Sequence, residues 1–144
     1  MSALSQKIRI NDVSLQIVHQ REHFGEQGTP DTRWIPTLGS EGDWIVISGD
    51  LRIRTSLKER IAWLESGLTI FFMQKSFPRA DEWDQALWLI RAWKNIIATA
   101  AANPTRSGFV VHQKGQIETI RMDELRSTLV RDRERVARGT MTSV

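Results

Sequence analysis

Two kinds of hydrophobic pattern alternate along the chain. Residues 44–48 (WIVIS) and 68–73 (LTIFFM) are unbroken apolar runs, the mark of strands covered on both faces. Residues 13–19 (VSLQIVH) are rich in β-branched positions, Val13, Ile17 and Val18, and read as another strand. Helical spacing fills the intervals. Thr29 is placed to cap a helix with Pro30 at its first position and Asp31 in its first turn. Trp34, Ile35 and Leu38 form its apolar face, Pro36 keeps it short, and Gly39 and Gly42 end it. Ser56 and Glu59 have capping-box spacing ahead of a second helix, stopped by Gly67.

The longest periodic segment follows. Asp81 is a cap, and Trp83, Leu87, Ile90, Trp93 and Ile97 recur at helical spacing until Asn103-Pro104. FVVH and QIETIRM then read as strands joined by a reversal around residues 113–115. Residues 123–138 form a charged helix with thin apolar content.

Alternating strands and helices predict an α/β fold: a three-layer α/β/α sandwich with a mainly parallel sheet built from 13–19, 44–48 and 68–73. Residues 1–122 are expected to form the domain, and 123–144 a charged helix and tail. In such sheets, sites gather beyond the carboxyl ends of the strands. That puts His19 to Glu22 and Ser48 to Asp50 at one edge, with Asp31 able to approach it.

Composition narrows the chemistry. The chain has no cysteine, which excludes disulfides, thiolate metal sites and a cysteine nucleophile. No apolar run reaches the roughly 20 residues of a membrane span, and Lys7, Arg9, Asn11 and Asp12 interrupt any signal-like stretch. A cytoplasmic location is the expectation. The net charge of +3 points mildly to an anionic partner.

Five segments carry a resemblance: HQREHF, GTPDTRWI, DWIVISGDLRI, LTIFFMQKSF and QALWLIRAWKNI. They resemble the PIN-like family, and within it the VapC-like toxin branch, over about residues 19–120. The resemblance implies an endoribonuclease that uses Mg²⁺ or Mn²⁺ held by a carboxylate cluster, acting as the toxin of a toxin–antitoxin pair. Asp50 and Asp31 match two of the family's metal-facing acids, Glu22 lies where a further acid is common, and Ser48 matches a small hydroxyl residue before the strand-end aspartate. The implied partners are an RNA substrate, a cognate antitoxin protein and a second copy of the chain.

The residues also support plainer roles. Asp50 follows a glycine in a turn-forming pair, and Asp31 suits the positive end of a helix. Arg21, Arg52 and Arg54 flank the acids and are candidates to hold RNA phosphates, with Lys58 and Lys75 as weaker ones. His19 and His23 are candidates for proton transfer. Trp83, Trp88 and Trp93 belong to packing rather than base stacking.

The family opens on a strand running into an aspartate, and nothing before Val13 matches it. The expectation is that this chain by itself is a weak or inactive ribonuclease. The alternative is a non-catalytic PIN-like domain that binds RNA or protein.

Overall fold

The structure is a computed structural model that describes residues 7–10, 13–16, 31–42, 44–103 and 107–142. Its main body is a four-stranded mixed sheet flanked by helices in an α/β/α layout. The elements run β1 (Lys7–Ile10), β2 (Val13–Gln16), α1 (Asp31–Glu41), β3 (Ile45–Ser48), α2 (Arg52–Thr55) and α3 (Leu57–Ser66). Next come β4 (Thr69–Met73), a 3₁₀ turn at Phe77–Arg79, α4 (Glu82–Ala102), β5 (Gly108–Val111), β6 (Ile117–Thr119) and α5 (Met122–Thr142).

The sheet order is β3-β4-β5-β6. β3 pairs with β4 and β4 with β5 in parallel, and β6 closes antiparallel on β5. The parallel pairing of the 44–48 and 68–73 runs is as the pattern predicts. The 13–19 run is different. Its residues Val13–Gln16 pair antiparallel with Lys7–Ile10 in a separate two-stranded sheet, with Ile10 opposite Val13. Only Asn11 and Asp12 separate the two strands, a link that suits a tight reversal and is too short for a parallel crossover. A strand does therefore precede Val13, and the third parallel strand is β5. Ile17 to His19 lie outside the described residues.

β4 shows how the period of two builds the layers. All five of its residues are buried. Ile70 and Phe72 join Trp34, Ile35, Leu38, Ile53 and Trp63 under α1 and α3. Phe71 and Met73 join Trp88, Ala92, Ile96, Phe109 and Val111 under α4. Trp34, Ile35 and Leu38 are thus the buried face of α1, as their spacing predicts. α1 continues through Pro36 and Gly39 and stops at Gly42, whose φ of 75° is left-handed. Gly39 lies inside the helix because α1 approaches α3 there, leaving no room for a side chain against Ser66. Thr29 and Pro30 lie outside the described residues.

Local signals set the other boundaries. The Asp81 carboxylate accepts the Asp84 N–H at 2.8 Å and caps α4. Gly67 ends α3 with φ of 75°. Ser56 occupies the cap position of α3, but its hydroxyl makes no cap hydrogen bond. The expected reversal joins β5 to β6, with the Gly115 N–H donating to the His112 carbonyl at 2.9 Å. α5 docks on α3 through Arg60 to Asp132, Arg133 to Glu65 at 2.7 Å, and the buried side chain of Leu129. Among the described residues no helix is long and apolar enough to cross a membrane.

Trp63 ties the layers together. Its indole N–H donates to the Leu68 carbonyl at 3.0 Å, and its ring meets Phe72 edge-on at 5.1 Å. A Cβ placed on Gly108 would fall 2.7 Å from that ring. Gly108→Ala should therefore force α3 away from β5 and cost about 1–3 kcal/mol, the usual range for overpacking. Chemical denaturation measures this, and a midpoint equal to that of the wild type would contradict the packing described.

Candidate nucleic-acid interface

Parallel strands deliver their carboxyl ends to one edge, and the polar residues of interest collect there. β3 ends at Ser48, and Gly49 and Asp50 turn the chain into α2. The Ser48 hydroxyl accepts the Asp50 N–H at 3.1 Å, which fixes the turn. Asp50 Oδ1 then accepts the Arg52 N–H at 2.9 Å. The Arg52 guanidinium reaches back over the same carboxylate, with Nε at 3.0 Å from Oδ1 and 3.1 Å from Oδ2, and Nη2 at 2.6 Å from Oδ2. Asp50 is thus both a turn residue and half of a forked ion pair.

This contact sets the charge state of Asp50. The side-chain hydrogen bonds from Arg52 are the largest influence and hold the carboxyl below its ordinary value. Partial burial opposes them, while the Arg52 N–H and its positive charge add to the lowering. Because the folded-state value is depressed, the pair stabilises the fold above the unfolded value near about pH 4. That contribution is lost as pH falls through the folded value.

Further along the edge, β4 ends at Met73 and Gln74 continues its pairing, the Gln74 N–H donating to the Val111 carbonyl at 3.1 Å. Lys75 follows, exposed. β5 ends at Val111, and the next residue, His112, places its Nε2 2.8 Å from Glu118 Oε2 in a hydrogen bond. At the start of α5, Arg121 Nη1 donates to Glu124 Oε1 at 2.6 Å. Between these elements lies an open cavity of about 710 Å³. Leu51, Val110 and Leu125 give it apolar walls, and Arg54, Lys75, His112 and Arg121 stand among its lining. Arg54 and Lys75 form no ion pair among the described residues.

The structure therefore brings Asp50, Arg52 and Arg54 to one edge, with Ser48 behind them and Lys75 across the cavity. Lys58 sits on the exposed side of α3 and does not line it. Asp31 begins α1, but its side chain lies outside the described residues, as do Glu22, Arg21, His19 and His23. His112, Glu118 and Arg121 were not singled out by sequence pattern. His112 had a usable signal, since it closes the FVVH strand as Asp50 closes WIVIS.

A divalent cation needs several oxygen ligands. Among the described residues no group of three or more His, Cys, Asp or Glu side chains converges. Asp50 has the right chemistry for one ligand: it is ionised, one-third exposed and held by a rigid strand end. In the arrangement described, Arg52 occupies both of its oxygens. The Arg52 side chain is 77% exposed, and exposed ion pairs contribute only about 0–1 kcal/mol. Exchanging Arg52 for a cation would thus cost little.

A family model described as a PIN like domain matches residues 1–75. The chain belongs to the PIN-like family. No curated protein and no solved structure matches it. In this PIN-like domain the matched part includes β3, Asp50, α2, α3 and β4, and ends at Lys75. His112, Glu118 and Arg121 lie beyond it, so the cavity joins a family-matched wall to one outside the match.

The Asp50–Arg52 fork makes a direct prediction. In Arg52→Ala the Asp50 carboxyl should titrate higher, moving toward the ordinary value near about 3.9. Carbon-detected NMR of the side-chain carboxyl reads this, and an unchanged titration would show that Arg52 does not govern Asp50.

Proposed function

We propose that this PIN-like domain is an Mg²⁺- or Mn²⁺-dependent endoribonuclease acting at the carboxyl edge of its sheet. The observation that carries this reading is Asp50: an ionised carboxylate just past the end of a parallel strand, one residue before Leu51, which lines the cavity together with Arg54 and Lys75, two cations with no ion-pair partner among the described residues. Family membership supports it. Asp50, Asp31 and Glu22 are the proposed metal-facing acids, and Arg21, Arg52 and Arg54 the proposed phosphate contacts. When bound, the ion would supply an activated water and offset charge on the phosphate under attack.

The chain's own residues have separable tasks. Ser48 fixes the Asp50 turn, so the carboxylate keeps its direction. Arg54 and Lys75 attract the RNA backbone by charge, an attraction that does not need the metal. Arg52 can transfer from Asp50 to an arriving phosphate, which frees carboxylate oxygens as substrate docks. The toxin role, with a co-encoded antitoxin and self-association, belongs to the same proposal and rests on the VapC-like motifs.

A second reading has one specific observation in its favour. The Arg52 fork fills both Asp50 oxygens, as suits a domain that binds RNA without cutting it.

The discriminating experiment is an RNA-cleavage assay in Mg²⁺ and then Mn²⁺, paired with RNA binding by fluorescence anisotropy, on wild type and Asp50→Asn. We expect weak divalent-dependent cleavage that falls further, on the order of 10²-fold, in Asp50→Asn, since even outer partners of a metal site are worth about 10–100-fold. Binding should survive the substitution. Binding without cleavage in either metal would favour the second reading, and cleavage indifferent to Asp50→Asn would remove Asp50 from the site.

A further inference from the structure

The cavity beside Asp50 contains more than a phosphate track requires. A track needs exposed cations along a surface. Here two cations without ion-pair partners among the described residues, Arg54 and Lys75, stand at a concave space whose walls include Leu51, Val110 and Leu125. Half-buried aliphatic walls gain by contact with a flat apolar surface and offer nothing to a phosphate. Gln74, Thr119 and Thr128 also line the cavity and add amide and hydroxyl groups. Its about 710 Å³ falls within the roughly 300–1,000 Å³ typical of small-molecule sites. Glu118 and Glu124 line the cavity as well. Glu124 is held by Arg121 and Glu118 by the His112 ring, while the positive charges of Arg54 and Lys75 have no ion-pair partner among the described residues.

We propose that this cavity is a nucleotide subsite that takes one unstacked nucleotide of single-stranded RNA. The base lies against Leu51, Val110 and Leu125, and its phosphate is held between Arg54 and Lys75. Gln74 and the two threonines face the edge of the base and select among bases, as amide and hydroxyl groups do. Asp50 immediately precedes Leu51 in the chain and Arg54 follows three residues later, so a nucleotide seated here presents its neighbouring phosphate toward the Asp50 turn. The inference rests on the nuclease reading for its RNA context. Its test needs no cleavage.

The test titrates the full chain in EDTA with adenosine, cytidine, guanosine and uridine monophosphates, and separately with inorganic phosphate, following backbone amides by NMR. Mononucleotides should shift the amides of Leu51, Lys75, Val110 and His112, and at least one should bind about tenfold more tightly than phosphate alone, the share of the base contacts. Lys75→Ala, an exposed substitution that leaves the core intact, should weaken nucleotide binding about tenfold, the value of one charge-assisted contact. Asp50→Asn should not weaken it, which separates this proposal from the nuclease reading. Equal affinity for phosphate and for every nucleotide would reduce the cavity to an anion site and overturn the proposal. Shifts confined to other surfaces, or binding indifferent to Lys75→Ala, would overturn it too.

Discussion

The parallel pairing of β3, β4 and β5 is the constraint on which the rest depends. Each of the two crossovers, through α2 and α3 and then through α4, returns the chain to the same end of the sheet before the next strand begins. All three strands therefore run out at one edge. Asp50, Lys75 and His112 are far apart in the chain, yet each follows a strand end by one or two residues. The layers can form only because β4 is buried on both faces, with Ile70 and Phe72 serving one core and Phe71 and Met73 the other. Trp63 then locks α3 onto the sheet where Gly108 leaves space for its ring.

At that edge, charge is arranged unevenly. Asp50 is tied to Arg52, His112 to Glu118 and Arg121 to Glu124. These contacts are largely solvent-exposed, so they orient side chains more than they stabilise the fold. Arg54 and Lys75, with no ion-pair partner among the described residues, stand beside an apolar hollow. The Asp50–Arg52 fork has a further consequence. It keeps a carboxylate ionised and aimed at the edge, and it yields readily to a stronger partner.

Much of this was legible in the sequence because it rests on local rules. WIVIS and LTIFFM announce buried parallel strands, Asp81 announces the start of α4, and Gly67 the end of α3. Asp50 stands out because a carboxylate just past a buried strand is held rigidly, as a hard cation requires, and because it matches a family motif. The missed parts depend on pairing rather than pattern. KIRI offers only two apolar residues, so its pattern does not announce β1, and VSLQ reads as a strand of the parallel sheet although it pairs with β1. The contact between His112 and Glu118 follows from the β5–β6 register, which places Val110 opposite Glu118 and Val111 opposite Ile117. No spacing along the chain predicts it. The cavity is likewise assembled from four separate stretches, and its cations converge only once the topology is set.

The central claim is that RNA lies along the carboxyl edge of the sheet. Photo-cross-linking addresses it most directly, using single-stranded RNA carrying 4-thiouridine, followed by mass spectrometry of the modified peptides. The account predicts adducts in residues 48–54, 74–76 and 110–125, reduced by competing unlabelled RNA. Adducts that fall instead on the outer face of α4, around Trp83 and Ile90, or on the far end of α5, with residues 48–54 unmodified, would contradict it.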